Sequence, residues 1–219
     1  MDTYKNKYFS ILGDSISTLF GYIPIDFPCH YTYSNADISG IKECKDTWWG
    51  QVIGALEGKL LVNGSWSGSL VAKYPCCWID SYGCSDERTG SLNKDKILPD
   101  VIMVYMGTND AGWRIPLEGE AGDISCFRGA YSTMLKNLKK NYPEAEIWCL
   151  TLCQRLGNDG SYMKGYCDII SDCAKEYNCK LIDLYNQPNR YKTFDGLHPD
   201  ADGMKTIAEA VLDNVYKFK

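Results

Sequence analysis

Short, almost continuously apolar runs alternate along this chain with longer stretches in which apolar residues return every three or four positions. Five of the runs read as buried parallel strands, because neither face of such a strand meets water and so neither need be polar: "YFSILGD" (8–14), "KLLVNGS" (59–65), "DVIMVYMG" (100–107), "EIWCLTL" (146–152) and "KLIDLY" (180–185). Helical periodicity covers 47–56, opening at an Asp46/Thr47 cap, and then 124–140, 162–177 and 202–217. Tyr142 ends the second of these, since the residue before a proline, here Pro143, is pushed out of the helical region. Strands alternating with helices at this spacing predict a three-layer α/β/α sandwich around a parallel sheet. No repeat or low-complexity linker divides the 219 residues, so a single domain over 1–219 is expected, with long loop insertions at about 19–46 and 71–99.

In a parallel α/β sheet, function gathers in the loops beyond the carboxyl ends of the strands. All but one of the strong small polar clusters of this sequence fall there. The first strand ends in "GDSIS", the second in "NGSWSGS" and the third in "GTND", and the fifth leads after one loop to "DGLHP". Taken alone, "GDSIS" is an ordinary strand-to-helix turn, since Gly, Asp and Ser all favour turns and caps. The other clusters change its standing.

Acyl transfer by a serine needs a nucleophile, a base, a group that orients the base, and donors aimed at the developing oxyanion. Ser15 would sit where a helix amino terminus favours negative charge. Only two histidines exist, His30 and His198. His198 lies three residues after Asp195 in a loop that Gly196 and Pro199 force to turn, so the carboxylate can reach Nδ1 and leave Nε2 for Ser15, whereas His30 has no comparable neighbour in sequence. Gly68 can bring its N–H close to substrate because it lacks a Cβ, and Asn109 offers a side-chain amide. With the Ser15 N–H these make a candidate oxyanion hole, although Gly64 is a second reading of the same cluster.

Composition narrows the classes. A net charge of −5, with no basic block, argues against a nucleic-acid or anionic-membrane surface. No stretch approaches a membrane span, and the amino-terminal apolar run is too short for a signal-peptide core, so a cytoplasmic protein is expected. Eleven cysteines cannot all pair within one chain. Cys149, Cys153 and Cys167 fall within helix or strand patterns as small hydrophobes, and Cys76, Cys77 and Cys84 lack zinc-ligand spacing, so no metal is expected.

The four clusters together resemble the blocks of the SGNH, or GDSL-type, hydrolase superfamily: "GDSIS" with Ser15, Gly68 in "SGS", "GTND" with Asn109, and "DGLHP" with Asp195 and His198, in family order from residue 13 to 198. The resemblance implies a flavodoxin-like five-stranded sheet and serine-esterase chemistry with no cofactor. Block two departs from the family pattern, with Ser69 where an acidic residue is common and Trp66 in place of a smaller aliphatic.

The insertions are rich in aromatics. Phe20, Tyr22, Phe27, Tyr31 and Tyr33, leading to Trp48 and Trp49, and Tyr74, Trp78 and Tyr82 could rim the site with flat faces suited to sugar rings or acyl chains. Trp66, Trp113 and Arg114 are the candidate substrate-binding residues, with Trp66 narrowing the acyl pocket beside Ser15. The expectation is an esterase for small acyl groups, chiefly acetyl, acting as a carbohydrate O-deacetylase on a small-molecule or carbohydrate ester. A lipolytic esterase or thioesterase is the nearest alternative, and a catalytically silent carbohydrate-binding protein is the alternative from another class.

Overall fold

A computed structural model of the chain describes residues 2–75 and 81–218. Its centre is a five-stranded, all-parallel sheet of order β2-β1-β3-β4-β5, built from β1 (Tyr8–Gly13), β2 (Lys59–Asn63), β3 (Val101–Tyr105), β4 (Glu146–Leu150) and β5 (Lys180–Ile182). The helices are α1 (Ala36–Ser39), α2 (Trp48–Ala55), α3 (Asp86–Gly90), α4 (Thr108–Trp113), α5 (Phe127–Asn141), α6 (Lys164–Glu176) and α7 (Ala201–Val215).

Both sheet faces are covered, which is why the strands read as continuous apolar runs. Leu12, Ile102, Val104, Ile147 and Cys149 pack in one core with residues of α5 and α6 such as Tyr131, Met134, Ile169 and Ile170. Phe9, Ile11, Met103, Tyr105, Trp148 and Leu150 pack in a second core with Trp48, Trp49 and Val52 of α2 and Met204, Ile207 and Val211 of α7. The expected α/β/α layering and parallel sheet are what the chain forms.

The differences are local and have physical causes. Ser15 does not open a helix: Ser15–Ser17 is a single 3-10 turn and the chain then enters the first insertion, so an extended helix dipole at Ser15 is absent. Helix α5 starts later than its apolar period suggests, because Asp123 accepts hydrogen bonds from the Ser125 N–H and hydroxyl and holds a turn there. Thr47 caps α2 as expected, accepting from the Gly50 N–H. Trp48, Trp49 and Tyr31 are fully buried rather than rimming a site. Their burial follows from their place against the sheet, and the two indoles donate to the Ser17 hydroxyl (3.2 Å) and carbonyl (3.0 Å) and so brace the turn that carries Ser15. Cys149, Cys153 and Cys167 are buried free thiols. Cys76, Cys77 and Trp78 lie outside the described residues. Among the described residues, no helix is long and apolar enough to cross a membrane.

Candidate active site

Strand β1 delivers Gly13, Asp14 and Ser15 to the carboxyl edge of the sheet. Gly13 is required there by space, since a Cβ would lie 2.6 Å from the Ser65 hydroxyl and 2.7 Å from the Ser17 Cβ. Asp14 caps the turn by accepting from the Ile16 N–H at 3.1 Å. The turn is further fixed by Asn63, whose amide donates to the Ser17 carbonyl at 2.9 Å. Ser15 is thus presented by a braced turn and is only 5% exposed.

Opposite it stands the loop before α7. Gly196 takes a left-handed conformation (φ +88°), which folds the loop so that Asp195 turns back onto its own backbone. One Asp195 oxygen accepts the N–H groups of Leu197 (2.9 Å) and His198 (2.7 Å), and the other lies 2.7 Å from His198 Nδ1. His198 Nε2 lies 2.9 Å from Ser15 Oγ. Tyr31 and Tyr191 hold the loop from below, donating to the carbonyls of Pro199 (2.8 Å) and Leu197 (3.0 Å).

The electrostatics select one tautomer. Burial works against ionisation of Asp195, but the His198 and Leu197 amides and the imidazole outweigh it and hold the carboxyl at about 2. An ionised Asp195 requires Nδ1 to carry the hydrogen, which leaves Nε2 as an acceptor facing the Ser15 hydroxyl. Burial pulls His198 below the ordinary histidine range, with Asp195 opposing.

The loop after β2 and helix α4 close the third side. Ser69 donates its N–H to the Trp66 carbonyl at 3.1 Å, making a four-residue turn in which Gly68 sits at φ +81°. That angle favours glycine. The Gly64 N–H is occupied by the Ile11 carbonyl at 2.9 Å, as a continuation of the sheet ladder. Asn109 lies in the first turn of α4 rather than at a strand end, because Gly107, at φ +118°, bends the chain straight from β3 into this short helix. Its Nδ2 donates to the Ser69 carbonyl at 3.0 Å, coupling α4 to the Gly68 turn. Asp110 reinforces this by accepting the N–H groups of Val71 and Ala72 at 2.9 and 3.1 Å. Burial lifts its carboxyl to about 6 against those two amides.

Of the candidate substrate residues, Trp66 packs on Phe27 with ring centroids 4.3 Å apart. Trp113 is 56% exposed and Arg114 is exposed. Phe20 and Tyr33, both exposed, make an edge-to-face pair at 5.1 Å on the first insertion.

His30 is the residue that sequence spacing passes over. Its ring stacks on His198 with centroids 3.3 Å apart and planes 20° from parallel, and its Nε2 is 3.5 Å from an Asp195 oxygen. Its position is set by its N–H donating to the Thr18 hydroxyl (2.9 Å), while that hydroxyl donates to the Ser15 carbonyl (2.9 Å). Burial, then the neighbouring His198, pull the His30 imidazole down to about 4. His30, Asp195 and His198 are the one group of possible metal ligands among the described residues. Near-parallel rings aim their in-plane lone pairs side by side, whereas a tetrahedral ion needs them convergent, so the arrangement is a stack rather than a chelate.

Comparison with known proteins places the chain in a family and a fold. Residues 7–215 match the family described as GDSL-like Lipase/Acylhydrolase. A multidomain esterase of Ruminococcus flavefaciens is 24% identical over 164 residues, which is 70% of this chain and 20% of that protein, so the chain spans about a fifth of this curated relative's length. A Bacteroides ovatus protein described as a GDSL-like lipase superposes with a TM-score of 0.77 at 28% identity, covering 97% of this chain and 99% of that one. Est24, a carbohydrate acetylesterase from Sinorhizobium meliloti, shares the fold with a TM-score of 0.68 at 13% identity, over 98% and 100% of the two chains.

Proposed function

The chain belongs to the GDSL-like lipase/acylhydrolase family, and from that premise we propose that it is a serine esterase that removes small acyl groups, chiefly acetyl, from carbohydrate or other small-molecule esters. The observation that carries the reading is the linear set of contacts from Ser15 Oγ through His198 to Asp195, at 2.9 and 2.7 Å.

In this reading Ser15 Oγ attacks the ester carbonyl carbon while His198 Nε2 takes the hydroxyl proton. Asp195 remains an anion and stabilises the imidazolium. The carbonyl π-electrons move onto oxygen, and that oxyanion is met by the Ser15 N–H, the Gly68 N–H and the free hydrogen of the Asn109 amide. Collapse breaks the bond to the leaving alkoxide, which receives the proton from Nε2. Water then attacks the acyl-enzyme by the same path in reverse, giving the carboxylic acid and restoring Ser15.

Preference for a short acyl group rests on Trp66, a large ring in the loop that carries Gly68. The exposed Trp113 and Arg114, at the end of α4, would meet the alcohol portion, where an indole face suits a sugar ring and a guanidinium suits its hydroxyls. A series of p-nitrophenyl esters tests the acyl preference. Acetate turned over faster than octanoate supports the reading, and octanoate turned over faster gives the lipolytic alternative. Acetate release from acetylated oligosaccharides, with Ser15→Ala as control, tests the alcohol side.

A further inference from the structure

Helix α3 lies in the second insertion, outside every motif of the mechanism above, yet it carries a buried cation against the segments that flank that site. Arg88 is 3% exposed. One terminal nitrogen of its guanidinium donates to the Ser69 hydroxyl (2.9 Å) and the Ser81 hydroxyl (2.6 Å), and the other to the carbonyls of Gly13 (3.0 Å) and Gly64 (2.8 Å). The rings of Phe27 and Trp66 cover it, with the guanidinium carbon 5.8 and 6.0 Å from their centroids. A buried charge is costly unless its hydrogens are matched, and all four acceptors here are neutral oxygens.

The four acceptors are informative. Gly13 stands two residues before Ser15. Gly64 begins the loop that leads to Gly68. Ser69 follows Gly68, and its carbonyl is the one that receives the Asn109 amide. Ser69 in turn donates its hydroxyl to the carbonyls of Ser81 (2.9 Å) and Leu70 (3.1 Å), tying the same turn to the second insertion. The guanidinium therefore anchors the chain beside each of the three candidate oxyanion donors. Its planar fork suits this task, because two nitrogens with fixed directions can hold four oxygens in one geometry.

We propose that Arg88 is the positioning residue of the oxyanion hole, fixing the Ser15 and Gly68 amides and the Asn109 side chain at the spacing that a tetrahedral intermediate requires. The assignment rests on the serine-esterase reading. Preorganised donors act on the transition state more than on bound substrate, so disturbing them lowers kcat with little change in KM. Burial pulls the guanidinium down to about 10, with the Asp14 carboxylate opposing, so it is still charged at neutral pH.

The test compares wild type with Arg88→Met and Arg88→Ala in p-nitrophenyl acetate turnover, with circular dichroism and a melting curve on each. Arg88→Met should fold and lose about a hundredfold in kcat, on the scale of a lost oxyanion donor, while KM moves by less than about threefold. Arg88→Ala should regain at least about tenfold on addition of millimolar guanidinium, saturably and not with sodium, since the vacated cavity has the shape of that ion. Rescue by the free cation identifies the guanidinium as the group that acts, and a fall in kcat with KM held and the melting curve unchanged separates positioning from a merely structural tie. If the Arg88 variants do not fold, Ser81→Ala removes one arm of the clamp and should lower kcat about threefold to tenfold with KM held. A folded Arg88→Met with wild-type kcat, absence of guanidinium rescue, or an unchanged Ser81→Ala in the case that it decides, overturns the assignment alone. A wild type that neither turns over esters nor reacts with a fluorophosphonate overturns the esterase reading and the assignment together.

Discussion

Replacing Asp195 by Asn probes the tautomer argument with almost no change in shape. In the wild type one carboxylate oxygen holds two backbone N–H groups, at 2.7 and 2.9 Å, and the other faces His198 Nδ1 at 2.7 Å. The loop amides must meet the Asn carbonyl oxygen, so the Asn NH2 is left facing Nδ1. That contact is satisfied only if Nδ1 is the acceptor, which moves the imidazole hydrogen to Nε2. Nε2 then points a hydrogen at Ser15 Oγ and has no lone pair for its proton. The fold keeps both loop bonds, while the base is held in the wrong tautomer. In triads of this kind the same exchange lowers kcat by about 10⁴, which at about 1.4 kcal/mol per decade is about 5.5 kcal/mol of transition-state stabilisation. Initial rates of acetyl-ester hydrolysis at neutral pH measure it, beside a melting curve within a few degrees of wild type. A folded Asp195→Asn with activity within about tenfold of wild type would refute the tautomer argument and the role given to Asp195.

Two further outcomes follow from the titrating groups. Burial holds His198 below 6.5 in the folded chain and the base must be neutral, so the acid limb of kcat/KM should have its midpoint below 6.5, activity being lost as pH falls through it. His30→Asn, which lets water reach the His198 face now covered by a ring and leaves in place Asp195, Tyr31 and Arg155, whose guanidinium donates to the Gly196 carbonyl, should move that limb upward; a wild-type midpoint above 6.5 or a downward shift in the variant contradicts this. Asp14 is lifted from 3.8 to about 7, by burial first, with the Ile16 amide and Arg88 opposing, so the folded chain takes up a proton the unfolded chain does not hold, and stability falls as pH rises from about 4 through about 7. Asp14→Asn keeps the cap and has no charge to bury, so its melting temperature should exceed that of wild type at about pH 8, by the equivalent of at most about 4 kcal/mol, and match it at about pH 4; equal melting temperatures at both values would count against a buried Asp14 charge.

The sheet was legible because its central strands β1, β3 and β4 are buried on both faces and carry no polar alternation to confuse the period, while the partly exposed edge strands β2 and β5 are still short, mainly apolar runs. The long helices were legible for the converse reason, since α2, α5, α6 and α7 each bury one stripe. What escaped is of two kinds. Short elements carry too few residues for a period: α4 has six and is set by the left-handed Gly107 rather than by its apolar pattern. Contacts between distant segments leave no local trace either. His198 could be paired with Asp195 from a three-residue offset, but His30 stacks on His198 from 168 positions away, with only a fold to bring them together. Arg88 is further hidden, because its own segment carries no motif, and its acceptors on β1, on the loop after β2 and at Ser81 are brought to it only by the fold. The tryptophans show the opposite error. Trp48 and Trp49 read equally as rim or core, and the depth of α2 against the sheet decides for the core.

All of the chemistry above depends on Ser15 being a nucleophile activated by His198. Fluorophosphonate labelling followed by peptide mass mapping measures it without knowledge of the natural ester. A single adduct on Ser15 in wild type, absent from Ser15→Ala and formed far more slowly in a folded His198→Ala, is the predicted result. An unlabelled wild type, or a Ser15→Ala labelled as fast as wild type, would contradict it.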